Sequence, residues 1–372
     1  MSDLFMTIAA FAVAALVCVA LGHFTIPWLV ARKFKDGAPR KASDTLNEIN
    51  KSKANVPTMG GLFLIAAIVA VALAMLPYDG GAHWYVLGAV VASALLGAYD
   101  DWIKLNKKCD KDGKHLDGMR SRTKFVLQVA IMAACGYGVL GTLPRESAEM
   151  LWIPSFNVGI DVGWWALPLA IFVGVGTTNA VNLSDGLDGL AAGLMAMAAA
   201  GLTAVALLMS ANDSLLTNAP EHAATLAAII AGASVGFLFY NRHPARVFMG
   251  DTGSLALGAG LGMLAVSLRQ ELLLVLFGAV FVAEALSVMI QVTYFRLTGG
   301  KRIFRCSPLH HHFQFMGWHE TKVTRRFWAI CAMFCALALA AVWFGRVDHD
   351  SPTTQQQAQN KHTPSPAVSV RR

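Results

Sequence analysis

Charged residues are scarce in this chain. Asp, Glu, Lys and Arg make up 14% of the 372 residues, hydrophobic residues make up 55%, and the mean hydropathy is +0.51. Soluble globular domains carry about 25% charged residues, so the composition excludes an ordinary soluble domain. Most of the chain is therefore predicted to lie in lipid.

The sequence also lacks the signs of a disulfide-rich secreted protein and of a cleaved leader. Four of its six cysteines fall in apolar stretches, namely Cys18, Cys135, Cys331 and Cys335. The other two, Cys109 and Cys306, fall in basic loops, so no disulfide framework is expected. The first apolar stretch follows Asp3 rather than a basic segment and has no A-x-A-like cleavage site. It is predicted to be an uncleaved membrane anchor.

Long apolar stretches are abundant. A helix needs about 18 to 20 apolar residues to cross a bilayer core, and ten stretches approach this length, at 5–30, 58–77, 83–99, 125–143, 164–181, 189–210, 222–240, 253–267, 272–295 and 327–344. The predicted fold class is all-α, a polytopic integral membrane protein with about ten transmembrane helices in one catalytic domain over 1–345. Residues 346–372 are rich in Ser, Thr, Gln and Pro and predict a disordered polar tail.

Basic residues predict the orientation in the membrane. Seven Lys and Arg residues follow the first apolar stretch, from Arg32 to Lys53, and the positive-inside rule places them in the cytoplasm. If successive loops alternate between the two sides of the membrane, 24 of the 30 Lys and Arg residues lie on the cytoplasmic side and both termini lie in the periplasm. Because these charges are divided among separate loops, they indicate orientation and argue against nucleic-acid binding.

Polar motifs gather at the predicted cytoplasmic ends of the spans. Asp100, Asp101 and Lys104 follow the third apolar stretch. In isolation they are compatible with a solvated helix end carrying an i,i+3 ion pair. Paired carboxylates beside a lysine also suit Mg²⁺ and a diphosphate, because Mg²⁺ is a hard cation held by carboxylate and phosphate oxygens.

Two further motifs combine aspartates with glycines. They are Asn-Ala-Val-Asn-Leu-Ser-Asp-Gly-Leu-Asp-Gly at 179–189 and Val-Phe-Met-Gly-Asp-Thr-Gly-Ser at 247–254. Helix capping would explain one aspartate of the first motif, but not two aspartates together with both asparagines. In the functional interpretation, glycines let phosphate approach a helix N-terminus, Asp251 holds a metal ion, and Phe248 stacks on a base.

Three consecutive histidines precede the last apolar stretch, in Ser-Pro-Leu-His-His-His-Phe-Gln. Successive helical residues are rotated by 100°, so a zinc site on one face is not expected. We expect donors to phosphate or uridine, the alternative being a surface loop near lipid headgroups. A fifth motif, from Lys53 to Gly61, opens the second stretch, and its alternative is a Pro and Gly turn.

Glu284 lies near the middle of the ninth stretch, where a carboxylate is costly and usually has a partner or a function. It is the residue that best supports a different class of protein, an ion-coupled transporter. A transporter is expected to carry several charged residues near the bilayer midplane and to show paired broken helices in two halves. Four polar motifs on one membrane face favour an enzyme over both a transporter and a scaffold protein.

In this order and at these span ends, the motifs resemble those of the phospho-N-acetylmuramoyl-pentapeptide transferase family, the lipid I synthases of bacterial cell-wall synthesis. The resemblance covers about residues 20–345, and its longest segments are RIFRCSPLHHHFQFMGW, NAVNLSDGLDGL and VFMGDTGSLALG. It implies a Mg²⁺-dependent enzyme of the bacterial cytoplasmic (inner) membrane, often a homodimer. Such an enzyme joins UDP-MurNAc-pentapeptide to undecaprenyl phosphate and releases UMP, with its cleft on the cytoplasmic face.

The resemblance also implies roles for individual residues. Asp100, Asp101 and Asp251 match the catalytic aspartates, with Asp251 as the metal ligand. Substrate-binding positions are matched by Lys53, Thr58, Lys104, Lys124, Asn179, Asn182, Leu183, Asp185, Gly186, Asp188, Phe248, Gln291, His310, His311 and His312. The chain departs from the family pattern at four positions. Asn50, Asn55 and Val56 stand where His, Gly and Thr are usual, and Gln314 stands where Glu is common.

Two reaction schemes remain open at this stage. The lipid phosphate attacks the β-phosphorus of the UDP sugar directly, which we favour, or a covalent phosphoryl-aspartate forms first. Asp100 removes the residual proton of the acceptor or holds the acceptor in line. Transferases that move N-acetylhexosamine phosphate share the aspartate motifs but typically lack the triple-histidine sequence, and such an enzyme is the alternative function.

Overall fold

The computed structural model describes residues 2–32, 34, 53, 55–106, 118–153, 158–211 and 216–347. Its helices are α1 (Ser2–Ala31), α2 (Gly61–Met75), α3 (Ala82–Asn106), α4 (Ser121–Thr142), α5 (Arg145–Ala148), α6 (Ala166–Ser184), α7 (Leu190–Ser210), α8 (Pro220–Asn241), α9 (Gly250–Ser267), α10 (Glu271–Phe277), α11 (Ala279–Leu297), α12 (Leu309–Phe315) and α13 (Glu320–Val347). The prediction of an all-α polytopic membrane protein is confirmed.

Eight helices in the described part of the chain are long and apolar enough to cross a membrane: α1, α3, α4, α6 with the 3₁₀ turn before it, α7, α8, α11 and α13. The two remaining predicted spans are also helical. However, α2 has only 15 residues, and α9 begins with the polar sequence Gly-Asp-Thr-Gly-Ser. Both pack against neighbouring helices, which shield much of their polar surface from lipid.

Helix α9 lies at the centre of the bundle. Its residues from Thr252 to Ser267 are all buried, and α2, α3, α4 and α6 pack around it. Two glycines allow the closest contacts. A Cβ on Gly97 of α3 would lie 2.2 Å from the Asp251 carbonyl oxygen, and a Cβ on Gly61 of α2 would lie 2.2 Å from the Gly253 nitrogen. The start of α9 is therefore held directly against the backbones of α2 and α3.

The outer helices face lipid. In the most apolar 18-residue segment of α8, 83% of the residues are buried inside the protein. The corresponding share is only 22% for α1 and for α4. Large apolar side chains such as Phe5 and Phe172 remain exposed on the bundle surface. A soluble protein rarely exposes so much contiguous apolar surface, which agrees with a lipid environment.

The prediction of one continuous span over 272–295 was wrong. Helices α10 and α11 are separated at Gly278, whose φ of −98° and ψ of 17° depart from helical values. Hydrogen bonds still cross the break, since Gly278 N–H donates to Leu274 O at 2.7 Å and Val282 N–H donates to Gly278 O at 2.9 Å. The helical hydrogen bonds are therefore kept across the break, where only the backbone angles of Gly278 depart from helical values.

A small β-hairpin, which the sequence did not predict, lies between α4 and α6. Strands β1 (Met150–Ile153) and β2 (Val158–Asp161) pair antiparallel, with Met150 opposite Asp161. Arg269 anchors the hairpin by donating to the Met150 carbonyl and pairs with Glu271 at 2.7 Å. The hairpin lies at the opposite end of the bundle from the aspartate motifs, because it adjoins the other ends of α4 and α6.

The five cysteines in the described residues are free thiols, as expected. Cys109, Asn50 and the predicted tail beyond residue 347 lie outside the described residues.

Candidate active site

Three aspartates and two lysines meet where α3, α4 and α9 come together, and we call them the aspartate–lysine cluster. Asp100, Asp101 and Lys104 come from the end of α3, Lys124 from the start of α4, and Asp251 from the first turn of α9. Lys104 Nζ lies 3.0 Å from oxygens of both Asp100 and Asp251, and Lys124 Nζ lies 3.5 Å from Asp100. Lys124 also pairs with Asp251. The sequence prediction that these side chains share one site is supported by this geometry.

Both carboxylate oxygens of Asp251 are engaged. Oδ2 accepts from the two lysines, and Oδ1 accepts from Asn182 Nδ2 at 3.0 Å. Asn182, in the last turn of α6, also donates to Ser254 Oγ at 2.8 Å. The asparagine of the first glycine-rich motif therefore orients the aspartate of the second.

Asp101 is turned away from its neighbour Asp100 and caps α9. It accepts hydrogen bonds from Asp251 N at 3.1 Å, from Thr252 N at 2.9 Å and from Thr252 Oγ1 at 2.7 Å. These backbone groups belong to the first turn of α9, which has no intrahelical acceptor for them. Asp101 thus stabilises the helix that carries Asp251.

A cleft of about 630 Å³ opens beside the cluster. Its volume lies in the usual range for small-ligand sites. The lining residues are Asp100, Lys104, Gly118, Met119, Ser121, Arg122, Lys124, Phe125, Gln128, Asn179, Asn182 and Asp251. Asp101 does not line the cleft, whereas the other four members of the aspartate–lysine cluster do.

A second charged group, the Lys53 cluster, consists of Lys53, Asp188, His243 and Glu320. Lys53 Nζ lies 2.7 Å from Asp188 Oδ1 and 2.6 Å from Glu320 Oε1. His243 Nδ1 lies 3.0 Å from Asp188 Oδ2. The cluster joins the fifth motif, the first glycine-rich motif and the start of α13 at the same end of the bundle.

The environment of Asp188 favours its ionised form. Burial raises the pKa of this carboxyl, but the hydrogen bond and charge of Lys53, with donors from Ala245 N–H and His243, outweigh burial. The pKa of Asp188 is therefore held below its usual value. Lys53 Nζ also lies 6.0 Å from the ring centroid of Phe248, the residue expected to stack on a base.

The three histidines lie on the short helix α12 and make contacts in three directions. His310 pairs with Glu284, His311 Nδ1 lies 2.8 Å from Gln314 Oε1, and His312 Nδ1 accepts from Arg305 N–H at 3.1 Å. The expectation that they would not share one face is supported by these contacts. The alternative, a surface loop near lipid headgroups, does not fit these residues, because residues 309–315 are helical and His310 is buried.

Glu284 has a partner that the sequence did not identify. Its Oε1 accepts from His310 N–H and its Oε2 lies 3.1 Å from His310 Nδ1, with both side chains buried. The other ring nitrogen, Nε2, has no hydrogen-bond partner among the described residues and lies against Gly186, where a Cβ would come within 2.3 Å. Glu284 thus links α11 to α12, which weakens the case for a transporter.

The remaining predicted substrate-binding residues lie near the same end of the bundle. Leu183, Asp185 and Gly186 are half-buried at the connection between α6 and α7, and Thr58 is buried before α2. Gln291 Oε1 accepts from the backbone of Ile303 and Phe304. Its contacts therefore support a loop, and they do not bring it into the cleft.

Several residues of the site were missed by the sequence reasoning. Glu320 and His243 complete the Lys53 cluster, and Gln128 Oε1 accepts from Asn179 Nδ2 at 2.9 Å inside the cleft. Arg122 lines the cleft as well. All four stand at span ends on the predicted cytoplasmic side, and that position was the available signal.

Comparison with known proteins agrees with the geometry. The family model for glycosyl transferase family 4 matches residues 83–269, about half of the chain. The phospho-N-acetylmuramoyl-pentapeptide-transferase of Chlamydia pneumoniae is 42% identical over 351 residues, covering 91% of this chain and 96% of the relative. The protein of the same name from Heliobacterium modesticaldum is 44% identical over 333 residues, covering 89% and 97%. The corresponding protein of Rubrobacter xylanophilus is 40% identical over 348 residues, covering 92% and 98%. The chain belongs to the phospho-N-acetylmuramoyl-pentapeptide transferase family.

Proposed function

We propose that the protein transfers phospho-MurNAc-pentapeptide from UDP-MurNAc-pentapeptide to undecaprenyl phosphate, giving lipid I and UMP. The observation that carries this proposal is the cleft lined by Asp100, Asp251, Lys104 and Lys124 in a membrane-spanning bundle. Lysines at such a site neutralise phosphate charge, and a lipid acceptor requires a site at the membrane. The name of the relatives, phospho-N-acetylmuramoyl-pentapeptide-transferase, supports phospho-MurNAc-pentapeptide as the transferred group.

We propose direct attack of a lipid phosphate oxygen on the β-phosphorus of the UDP sugar. A new P–O bond forms while the bond to the UMP oxygen breaks, so one phosphoanhydride replaces another. The acceptor is a phosphate monoester with a second pKa near about 6, so it is mostly ionised at neutral pH. The remaining work is positioning and charge neutralisation, which Lys104 and Lys124 supply.

The contacts of the aspartates support direct attack over a phosphoryl-aspartate. Asp100 Oδ1 accepts from Met119 N–H, and Asp100 Oδ2 faces both lysines. Both oxygens of Asp251 are also engaged. A carboxylate paired with two ammonium groups is a weakened nucleophile, because attack requires it to give up those pairs.

We propose that Asp251 and Asp100 hold a Mg²⁺ ion. Their oxygens face one shared space, and carboxylate oxygens are the ligands that this hard cation prefers. The aspartate–lysine cluster contains three carboxylates and only two ammonium groups, so a diphosphate would add to an excess of negative charge. When bound, Mg²⁺ supplies the missing positive charge.

The test is release of UMP by purified protein with undecaprenyl phosphate. We expect turnover of UDP-MurNAc-pentapeptide with Mg²⁺, no turnover with EDTA, and little turnover of UDP-GlcNAc. Asp251→Asn should abolish turnover in folded protein, whereas Asp161→Asn, an exposed carboxylate of the hairpin, should have no effect. Efficient use of UDP-GlcNAc would assign the chain to the alternative N-acetylhexosamine class. Turnover in EDTA would contradict the proposed requirement for Mg²⁺.

We also propose that the site faces the cytoplasm of a bacterial cell, that both termini are periplasmic, and that the protein is a homodimer in the inner membrane. The positive-inside pattern supports the orientation. A reporter enzyme that is active only in the periplasm should be active when it is fused after the last residue. Native mass spectrometry in detergent should give twice the monomer mass. A cytoplasmic reporter signal or a monomer mass would contradict the respective proposal.

A further inference from the structure

Two histidines and an aspartate converge at the end of the bundle opposite the aspartate–lysine cluster. Asp79 lies in the loop before α3, His83 in the first turn of α3, and His222 in the first turn of α8. His83 and Asp101 belong to the same helix and are 18 residues apart, about 27 Å at 1.5 Å per residue. This histidine–aspartate group is therefore remote from the proposed reaction.

The distances in this group are those of metal ligands rather than of hydrogen bonds. One carboxylate oxygen of Asp79 lies 3.4 Å from His83 Nε2, and the other lies 3.4 Å from His222 Nδ1. A charge-assisted hydrogen bond is usually about 2.7 to 2.9 Å long. Two ligands of a tetrahedral Zn²⁺, each about 2.0 to 2.1 Å from the ion, lie about 3.3 Å apart. The three ligand atoms are within 4.8 Å of one another.

The protein environment leaves a nitrogen available for an ion. His222 Nδ1 is buried and has no hydrogen-bond partner among the described residues. Glu221 Oε1 lies 3.9 Å from His222 Nε2, on the other side of the ring. At this distance the carboxylate makes no hydrogen bond, but its negative charge favours the tautomer protonated at Nε2, which leaves Nδ1 unprotonated. His83 Nε2 lies 3.1 Å from the Pro77 carbonyl, so binding an ion at Nε2 requires the ring proton to move to Nδ1 and the contact with Pro77 to break.

Asp79 is prepared to act as an anionic ligand. It is 41% exposed, which leaves room for a water molecule as a fourth ligand. The Gly81 N–H donates to Asp79 Oδ1 at 2.8 Å and fixes the orientation of the carboxylate.

A second group with similar residue types provides a contrast. In the Lys53 cluster, Asp188, His243 and Glu320 also lie within 4.8 Å of one another. There, however, Lys53 Nζ already sits 2.7 Å and 2.6 Å from the two carboxylates. That cluster contains its own cation, whereas no Lys or Arg pairs with Asp79 in the described part of the chain.

We propose that Asp79, His83 and His222 form a binding site for a divalent transition-metal ion, with Zn²⁺ the best match to two imidazoles and one carboxylate. The ion joins the loop before α3 to the start of α8. Its role is to stabilise the fold at this end of the bundle, and it takes no part in the transfer reaction.

The experiment uses purified full-length protein, stripped with EDTA and dialysed. Zn²⁺ binding is followed by calorimetry, and Co²⁺ binding by the visible absorption of a tetrahedral complex. Because His83 is almost fully buried and its replacement risks unfolding, the test variants are Asp79→Asn and His222→Ala. His243→Ala in the Lys53 cluster is the matched control.

We expect wild type and His243→Ala to bind one Zn²⁺ and to melt at a higher temperature with Zn²⁺ than without it. Asp79→Asn and His222→Ala should bind that ion at least roughly tenfold more weakly and lose the shift in melting temperature. UMP release with Mg²⁺ should be the same in Asp79→Asn as in wild type. Absence of Zn²⁺ binding by wild type, or equal binding by His222→Ala, would overturn the proposal without affecting the proposed reaction.

Discussion

Replacing Asp101 with asparagine tests whether this carboxylate supports the site or contacts the substrate. Its two oxygens accept from three donors at the start of α9, the backbone N–H groups of Asp251 and Thr252 and the Thr252 hydroxyl. An asparagine presents one carbonyl oxygen and one NH₂ group, so at least one of these donors would face another donor. The Asp101 side chain is only 5% exposed, so water does not readily replace the lost acceptor.

The expected magnitude follows from these hydrogen bonds and from the charge. A hydrogen bond to a charged group contributes about 1.5–3 kcal/mol. A carboxylate at a helix N-terminus adds about 0.3–1 kcal/mol, while the lower cost of burying a neutral amide offsets part of the loss. We expect Asp101→Asn to lower the free energy of unfolding by about 2–3 kcal/mol. Turnover should fall as well, because the first turn of α9 positions Asp251.

The assay combines unfolding, followed by tryptophan fluorescence in detergent, with UMP release at fixed Mg²⁺. Asp100→Asn is the matched variant, because Asp100 is the adjacent aspartate, lines the cleft and accepts from the backbone N–H of Met119 rather than from the backbone of α9. It should lose turnover with a smaller loss of stability. If Asp101→Asn were as stable as wild type and yet inactive, the capping role would be refuted and Asp101 would belong with the substrate-contacting residues.

The positions of the helices could be predicted because a chain in lipid must satisfy its backbone hydrogen bonds within each span. The break at Gly278 could not be predicted, since one glycine inside an apolar run is compatible with a continuous helix. The hairpin at residues 150–161 was also missed. Its strands are four residues long, and its anchor, Arg269, comes from a distant part of the chain.

For the site, the sequence indicated the membrane face and the chemistry, but not the different roles of adjacent residues. Asp100 and Asp101 appear equivalent in the sequence, but successive helical side chains are rotated by 100°. One therefore lines the cleft and the other caps α9. In the same way, the partner of Glu284 is His310, 26 residues further along the chain. Such pairings depend on how the helices pack, which no local pattern encodes.

Three further predictions concern residues that support the site. In Gly97→Ala the new Cβ meets the Asp251 backbone, so we expect a loss of about 1–3 kcal/mol in stability together with lower turnover. Gly88→Ala on the same helix, where the nearest atom is 4.0 Å away, should change neither, and equal melting temperatures of the two variants would contradict this. Glu284→Gln presents an NH₂ group to His310 and favours the His310 tautomer protonated at Nε2. We therefore expect kcat/KM to fall roughly tenfold. An unchanged kcat/KM would show that the pair of Glu284 and His310 is dispensable. The last prediction concerns acid stability. Because the pKa of Asp188 is lowered in the folded protein, its ionised form stabilises the fold above the unfolded pKa, and this contribution is lost as the pH falls through the folded pKa. The difference in unfolding free energy between wild type and Asp188→Asn should therefore be constant from about pH 7 to about pH 5 and shrink below about pH 4. Titration of carboxyls outside the Lys53 cluster affects both proteins alike and cancels in the difference. A difference that already shrinks near about pH 6 would mean that the charge of Lys53 does not outweigh the burial of Asp188.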